Sequence, residues 1–460
     1  MSRETDARVV ATELYFLPVA TRVPYAFGRE TLTEVTVARA KVTVRGRDGS
    51  TAVGWGETPL SAAWAWPGTL PYTTRDTAMR ACCERLAKAW VDFDAWGHPL
   101  EVGDDFRRTG LDDVASDGEL AVPYLAALVC LSVFDQALHD AYGHRHGVPI
   151  YQTYNRNYMS RDLATFLKPA EDTDRDFAGT YPSDFLTSRP ESVLPVWHSV
   201  GAGDPLTDAD RTEDEPDDGY PVTLAEWVRA DRLDCLKIKL RGTDDEWDYQ
   251  RIVGVDTVAG GQASLCADFN CTAPDPAYVI DILDRLRADR PDVFDRLLYI
   301  EQPFAYDLRA DRFDVTAIAA RKPLFLDESA HDWTHIAFGR SLGWDGVALK
   351  TCKTQTGAIL SLCWAKAHGM PVMVQDLTNP MLAMIPHATL AAYAGTLRGL
   401  ESNAPQFYPE ASQPEAAAHP GLYRRRDGTI DLSTLSGPGF GMRVEEIGRV
   451  LPDAAVSFSV

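Results

Sequence analysis

Long apolar runs are missing from this 460-residue chain. No stretch of about 18 apolar residues occurs, so no bilayer-spanning helix is expected. The opening residues, Met1-Ser-Arg-Glu-Thr-Asp, hold no apolar signal core either, and export is not expected. CxxC pairs are also absent. The cysteines (Cys82, Cys83, Cys130, Cys235, Cys266, Cys271, Cys352, Cys363) fall in several cases inside apolar runs such as Ser264-Leu-Cys-Ala267. This usage predicts buried, reduced thiols in a cytoplasmic protein. Basic residues are scarce: 45 Lys and Arg stand against 67 Asp and Glu, a net charge of -22. A surface of that sign repels phosphate backbones and anionic membranes, which excludes nucleic acid and membrane as expected partners. No GxGxxG or GxxxxGK[ST] loop follows any strand candidate, which argues against nucleotide binding.

What is present is organised in two parts, as the length predicts. From Val9 to Thr58 the pattern is strand-like, with Val35 to Val44 alternating and Gly46-Arg-Asp-Gly49 supplying a turn, as in an antiparallel sheet. A helix is expected from Leu120 to Ala141, with a wide apolar face through Leu125, Leu128, Val129, Val133 and Leu138 and with Gly143 marking its end. From Tyr154 to Tyr220 one apolar strand candidate, Val193 to Val200, stands between polar segments. The run from Asp204 to Asp218 is so acidic that it reads as a solvated surface loop, with a lid over a site as the alternative.

After Tyr220 short apolar runs alternate with amphipathic helices. The runs are Cys235 to Leu240, Ala263 to Asp268, Leu297 to Glu301, Leu324 to Asp327, Gly346 to Lys350, Pro371 to Gln375 and Leu397 to Glu401. With Val193 to Val200 they make eight strands, and eight βα repeats are most often solved as a closed parallel barrel. An open doubly wound sheet is the fallback. The tail from Gly437 to Val460 is expected to pack back on the first domain.

In such a barrel the chemistry lies at the C-terminal ends of the strands. Those ends read Lys237-Ile-Lys239, Asp268-Phe-Asn270, Glu301-Gln-Pro303, Asp327-Glu-Ser329 and Lys350-Thr-Cys-Lys353. Three successive strands ending in Asp268, Glu301 and Asp327 would gather three carboxylates around one point and leave about half of an octahedral magnesium shell open. Lys237 and Lys239, two apart on a strand, point the same way and bring positive charge beside Lys350. Burial and like charge both depress a lysine's pKa, which would make a neutral amine available as a base.

The ordered set KxK, DxN, EQP, DES and KxxK, one per successive strand end, resembles the enolase superfamily, with the nearest likeness to its two-lysine muconate lactonizing enzyme subgroup. Gly54-Trp-Gly-Glu57 resembles that family's capping-domain turn, and Tyr142-Gly143 through Pro149-Ile-Tyr151 its lead-in to the barrel. The resemblance implies an α/β fold: a modified (β/α)8 TIM barrel (153–435, with a polar and acidic insertion around 155–220) under an N-terminal α+β capping domain (1–152), with 436–460 packing back on the latter. It implies Mg²⁺, for which Mn²⁺ could substitute, on Asp268, Glu301 and Asp327. Lys239 and Lys350 would be the acid/base pair, with Lys237 in electrostatic support. The implied reaction removes the proton α to the carboxylate of a small substrate, giving racemisation, epimerisation, cycloisomerisation or elimination. A homo-oligomer is expected by analogy.

Asn270, Glu328, Lys353, Asp376 and Glu401 are candidate substrate-binding residues at the strand ends. Tyr25, Phe27 and Arg29 are further candidates, because Arg22 to Arg29 resembles the loop that shuts over substrate in relatives. Dipeptide epimerases of this subgroup carry Asp-x-Asp on the eighth strand, where this chain reads Glu401-Ser-Asn403. An acid-sugar dehydratase of mandelate racemase type is the runner-up, although it needs a histidine where this chain reads Val374-Gln-Asp376. His198, His368 and His387 are expected to be structural. A noncatalytic metal-binding scaffold is the third reading.

Overall fold

The computed structural model describes residues 3–213 and 215–460. Met1 and Ser2 of the N-terminal stretch, and Asp214 of the acidic run, lie outside the described residues.

The N-terminal sheet is built from three long antiparallel strands, β1 (Ala7–Phe27), β2 (Glu30–Gly46) and β3 (Thr51–Pro59). In β2, Ala40, Val42, Val44 and Gly46 are buried while Lys41, Thr43 and Arg45 are partly exposed, the period-two pattern of a sheet with one covered face. The C-terminal strand Val456–Ser459 pairs with the outer edge of β1, so the two chain ends share one sheet. Helices α1 (Tyr72–Asp92) and α2 (Tyr124–His146) pack on this domain.

Every residue of α2 from Leu125 to Gly143 is buried, polar ones included. The expected apolar face therefore understates the helix, which is covered on all sides and must satisfy its polar groups internally. Asp135 accepts hydrogen bonds from Thr356 N (2.9 Å) and Thr356 Oγ1 (2.7 Å) of the barrel. Asp140 accepts from Trp55 N (3.0 Å) and Phe440 N (2.9 Å). One helix thus ties the sheet, the barrel and the C-terminal segment together.

Two glycine expectations are corrected. Gly143 does not end α2; the helix continues to a left-handed cap at Gly147 (φ 66°). A Cβ at Gly143 would stand 2.6 Å from the Gly439 backbone, so the residue is small for close approach. Gly54-Trp-Gly-Glu57 is not a turn but the middle of β3. Its glycines admit α2 against the sheet: a Cβ would lie 2.0 Å from Ala141 N at Gly54 and 2.1 Å from Val133 O at Gly56.

Eight parallel strands form the second sheet: β4 (Val193–Val200), β5 (Cys235–Lys239), β6 (Ser264–Asp268), β7 (Leu297–Glu301), β8 (Leu324–Leu326), β9 (Gly346–Leu349), β10 (Val372–Val374) and β11 (Leu400–Glu401). β11 pairs in turn with β4, Leu400 opposite Val196, which closes the barrel and removes the open-sheet alternative. A short strand β12 (Thr429–Asp431) runs antiparallel to β4 outside the closure. Helices follow the strands, among them α3 (Leu224–Asp231), α4 (Asp245–Val258), α5 (Pro276–Asp289), α6 (Trp333–Ser341), α7 (Gln355–Ala367), α8 (Met384–Ala394) and α9 (Ala404–Phe407). The barrel floor is a cluster of Trp197, Cys235, Cys266, Tyr299, Phe325 and Met373. By strand parity the residues two further along each strand face the same interior.

The segment after Tyr154 is partly packed: Met159, Leu163, Phe166, Leu167 and Phe177 are buried, and Trp364 Nε1 on α7 donates to Lys168 O (2.9 Å). The acidic run is mostly exposed, as a solvated loop should be, but it is anchored at both ends. Asp204 accepts from Gly201 N (2.7 Å) and Asp218 binds Arg22 of β1. All cysteines are free thiols, and among the described residues no helix is long and apolar enough to cross a membrane.

Replacing Gly56 by Ala forces a methyl group into the Val133 carbonyl, and we expect a loss of about 1–3 kcal/mol or more. A fall in the urea midpoint at unchanged m-value, measured against wild type, checks this.

Candidate active site

Parity places Lys237 and Lys239 of β5 above Cys235, Asp268 above Cys266, Glu301 above Tyr299, and Asp327 and Gln375 just beyond β8 and β10. All of them are buried. The result is one cluster in which ammonium and carboxylate groups alternate. Lys237 Nζ stands 2.7 Å from Glu301 Oε1, 3.1 Å from Asp268 Oδ2 and 3.2 Å from Glu401 Oε2, and donates to Gln375 Oε1 (3.0 Å). Lys239 Nζ is 2.5 Å from Asp268 Oδ2. Lys350 Nζ is 3.0 Å from Asp327 Oδ2 and donates to Asp376 O at 3.0 Å. Lys353 Nζ reaches Asp327 from behind, 3.4 Å from Oδ1.

These contacts reverse the expectation for the lysines. Burial presses the pKa of Lys239 and Lys350 down, but the adjoining carboxylates, Asp268 for the first and Asp327 for the second, outweigh it and raise both. Lys237 is raised as well, chiefly by Glu301 acting against burial. Only Lys353 among the four is lowered, by burial. Like-charge crowding is real, but the lysines are closer to carboxylates than to one another.

The carboxylates divide in the same way. Burial works to raise Asp268 and Asp327, yet Lys239 and Lys350 beside them hold both low. Glu301 is pushed well up by burial and by the charge of Asp268. Glu328 and Asp376 are each pushed up to about 7, Glu328 by burial and Asp327, Asp376 by burial and Glu401. Neither has a cationic side chain within ion-pair distance among the described residues. Glu328 accepts from Trp64 Nε1 (3.1 Å) and Asn270 Nδ2 (2.9 Å). Asp376 is held by Asn403, whose N (2.9 Å) and Nδ2 (3.1 Å) donate to it while the same Nδ2 donates to Glu401 Oε1 (2.7 Å).

Lys237, Lys239, Lys350, Asp376, Glu401, Asn403 and Thr378 of the barrel line one chamber of about 30 Å³, closed by Tyr25, Phe27, Leu32, Ser61 and Trp64 of the capping domain. Tyr25 OH hydrogen-bonds Ser199 Oγ (2.8 Å), and the Trp64 ring lies 4.8 Å from Lys350 Nζ. Tyr25 and Phe27 are therefore chamber walls, whereas Arg29 is not. It lines an adjoining cavity of about 530 Å³ with Asn270, Cys271, Tyr306 and Glu328, and Phe27 and Trp64 form the partition. Trp64, Gln375 and Asn403 were missed from the sequence. Strand parity would have found Gln375; nothing local marks Trp64, which arrives only when the domains close. No histidine named above lies in the chamber: His198 pairs with Arg425, His368 with the Trp364 carbonyl, and His387 Nε2 donates to Glu401 O (2.7 Å).

Among the described residues, no three His, Cys, Asp or Glu side chains stand close enough together to grip a metal ion. The donor chemistry nevertheless fits a hard divalent cation: oxygen atoms only, six buried carboxylates against four ammonium groups, and buried acceptors without a hydrogen-bond donor among the described residues at Asn270 Oδ1 and Glu328 Oε2.

Residues 222–447, which carry all the strand-end residues named above, match the family model described as Enolase C-terminal domain-like. The barrel stretch 222–447 belongs to the enolase superfamily. An aromatic dipeptide epimerase from Herpetosiphon aurantiacus is 24% identical over 257 residues, covering 54% of this chain and 67% of the relative. A dipeptide epimerase from Enterococcus faecalis, solved with Mg and the dipeptide L-Leu-L-Tyr, superposes with a TM-score of 0.64 at 15% identity over 94% of this chain and 99% of that one. The muconate lactonizing enzyme from Pseudomonas fluorescens, solved with muconolactone, gives 0.62 at 17% identity over 95% and 96%. At these identities the solved structures establish the shared superfamily fold, a parallel barrel under an N-terminal antiparallel sheet.

The pKa of Asp376 is raised in the folded state, so its burial favours folding at low pH, and that contribution is lost as pH rises from about 4 to about 7. Asp376→Asn should remove this dependence. The urea midpoint of the variant, measured in chelator, is expected to gain on wild type between pH 4.5 and 8.

Proposed function

We propose that this protein is a magnesium-dependent enzyme that takes the proton from the carbon beside a substrate carboxylate and returns it, with epimerisation of a dipeptide as the reaction the site favours. The observation that carries this reading is the pairing of Lys239 and Lys350. They come from non-adjacent strands, line one chamber, and lie against Asp268 and Asp327 on either side of Glu301.

Asp268, Glu301 and Asp327 are the residues that would hold the cation, which when bound supplies the positive charge that a carbanion beside a carboxylate needs. The two lysines then divide the proton transfer. With Asp268 and Asp327 engaged by the cation, the charges that raise Lys239 and Lys350 would be offset; the lysine that is then neutral would remove the α-proton from its side, and the ammonium of the other would deliver a proton from its own side, inverting the centre. Lys237, held among Glu301, Asp268 and Glu401, keeps those carboxylates fixed and adds positive charge without entering the exchange. Tyr25, Phe27 and Trp64 exclude water, which strengthens every charge interaction inside.

Asp376 supports the choice of substrate. It is a buried carboxylate in the chamber wall with no cationic partner among the described residues, braced by Asn403 against Glu401, and so offers a seat to a substrate ammonium group. This arrangement stands in for the Asp-x-Asp pair that the eighth strand lacks. The aromatic walls suit an aromatic side chain, in line with the name of the H. aurantiacus relative. With Gln375 and Lys350 at the seventh and sixth strand ends, no histidine–aspartate dyad supports the dehydratase reading.

Proton NMR in D₂O with Mg²⁺, run against aromatic dipeptides, their N-acetylated forms, other N-acyl amino acids, cycloisomerisation substrates and acid sugars, tests the proposal. Metal-dependent α-proton exchange is expected for the free dipeptides. Lys239→Ala and Lys350→Ala should each cut epimerisation roughly 10²–10⁴-fold. Absence of exchange across the panel, with Mg²⁺ bound, would leave the noncatalytic scaffold in possession. Glu301→Gln should weaken Mg²⁺ binding in calorimetry by tenfold or more, whereas Glu446→Gln, remote from the chamber, should leave it unchanged.

A further inference from the structure

The capping wall of the chamber is carried on an interrupted ladder. β1 and β2 pair in unbroken register from Ala11 opposite Thr43 to Ala20 opposite Glu34 and resume at Tyr25 opposite Leu32, so Thr21, Arg22, Val23 and Pro24 stand against the single residue Thr33. A bulge of this size breaks the hydrogen bonding that would transmit rigidity along the hairpin, and Pro24 has no N–H to offer. The part of the hairpin that bears Tyr25 and Phe27 therefore needs anchors other than its own strands.

It has them on both sides. Inside, Tyr25 binds Ser199 and its ring lies 4.3 Å from that of Phe407 on α9. Outside, Arg22 turns toward the acidic insertion of the barrel domain. Its Nε and Nη2 donate to Asp218 Oδ2 (2.8 Å) and Oδ1 (2.7 Å), and Nη1 donates to Pro221 O (3.1 Å). Ala202 N adds a bond to Ala26 O (3.1 Å). The strap is itself moored, since Tyr220 OH donates to Glu410 Oε1 (2.8 Å) beyond α9.

We propose that Arg22 and Asp218 are positioning residues: their two-pronged ion pair clamps the β1–β2 hairpin to the barrel insertion and so holds Tyr25 and Phe27 over the lysine chamber. A forked guanidinium–carboxylate pair fixes orientation as well as distance, which a single point charge would not do. The Arg22 side chain is 9% exposed and Asp218 34% exposed, so the bond is within reach of water and salt. Such a pair is weak enough to open. The chamber, at about 30 Å³, admits no substrate unless this wall moves. The clamp thus governs access to the site; only this last consequence rests on the proposed reaction.

Hydrogen–deuterium exchange of the full-length protein tests the clamp without a substrate. In Asp218→Asn, peptides spanning 19–32 are expected to exchange about five-fold faster, while peptides from 37–44 stay as in wild type. Wild type in 1 M NaCl should approach the variant, and the variant should be insensitive to salt. The charge-reversed pair Arg22→Asp with Asp218→Arg should restore protection. Unchanged exchange over 19–32 in Asp218→Asn would overturn the proposal, and so would an increase shared equally by 37–44, which would mark general loosening. On any carboxylate that shows α-proton exchange, Asp218→Asn should raise KM several-fold and leave kcat within about twofold. Altered hairpin exchange with no active substrate would count against the proposed reaction alone.

Discussion

Four ammonium groups and six carboxylates are buried together at one end of the barrel, and most of the remaining architecture follows from the need to keep them so. Taking any one of these charges out of water alone would cost several kcal/mol, so each must be met by its opposite at short range. Lys237 does this at the centre, touching carboxylates from β6, β7 and β11 at once. The cluster is acidic on balance, and its excess is concentrated in Glu301, Glu328 and Asp376, whose protonated forms burial favours. A polar core of this sign and composition selects for cations, which is the physical basis of both the metal and the ammonium assignments.

Keeping water out requires a second domain, and that domain must be held rigidly. Helix α2 serves this end by lying buried between sheet and barrel, with β3 pressed against it through Gly54 and Gly56. A buried ion network continues the join: Arg39 of β2 binds both Glu57 and Glu415, and Glu415 in turn binds Arg449 (2.6 Å). By contrast the hairpin end that bears Tyr25 and Phe27 hangs from a bulged ladder. Rigid attachment of the domain and loose attachment of its tip are separate features, made from separate residues.

Much of this was legible before any coordinates. Period-two burial in β2 and the βα alternation after Tyr220 follow from which residues can be withdrawn from water, so strands and closure were readable from apolar patterning. Lys237, Lys239, Asp268, Glu301, Asp327 and Lys350 were legible because parity and strand-end position determine where they point. The errors have a common origin. The pattern marks Gly143 as a helix end and the glycines of β3 as a turn, although their smallness serves helix–strand and backbone–backbone approach between segments far apart in sequence. The lysines were read as mutually depressed, since their spacing was visible and the shorter distances to carboxylates on other strands were not.

The sequence by itself determined the barrel, the order of charges around its rim and the all-oxygen character of the candidate metal ligands, because these depend on local periodicity and on side-chain chemistry. Only the tertiary structure decided which charges pair, that Asp376 and Glu328 have no cationic side chain at ion-pair distance among the described residues, that Trp64 roofs the lysines and that Arg29 lies outside the chamber. It also decided what the acidic run does, since the value of Asp218 lies in meeting Arg22 from the other domain. Such facts are distances between residues hundreds of positions apart, 264 for Trp64 and Glu328, and no local pattern encodes them.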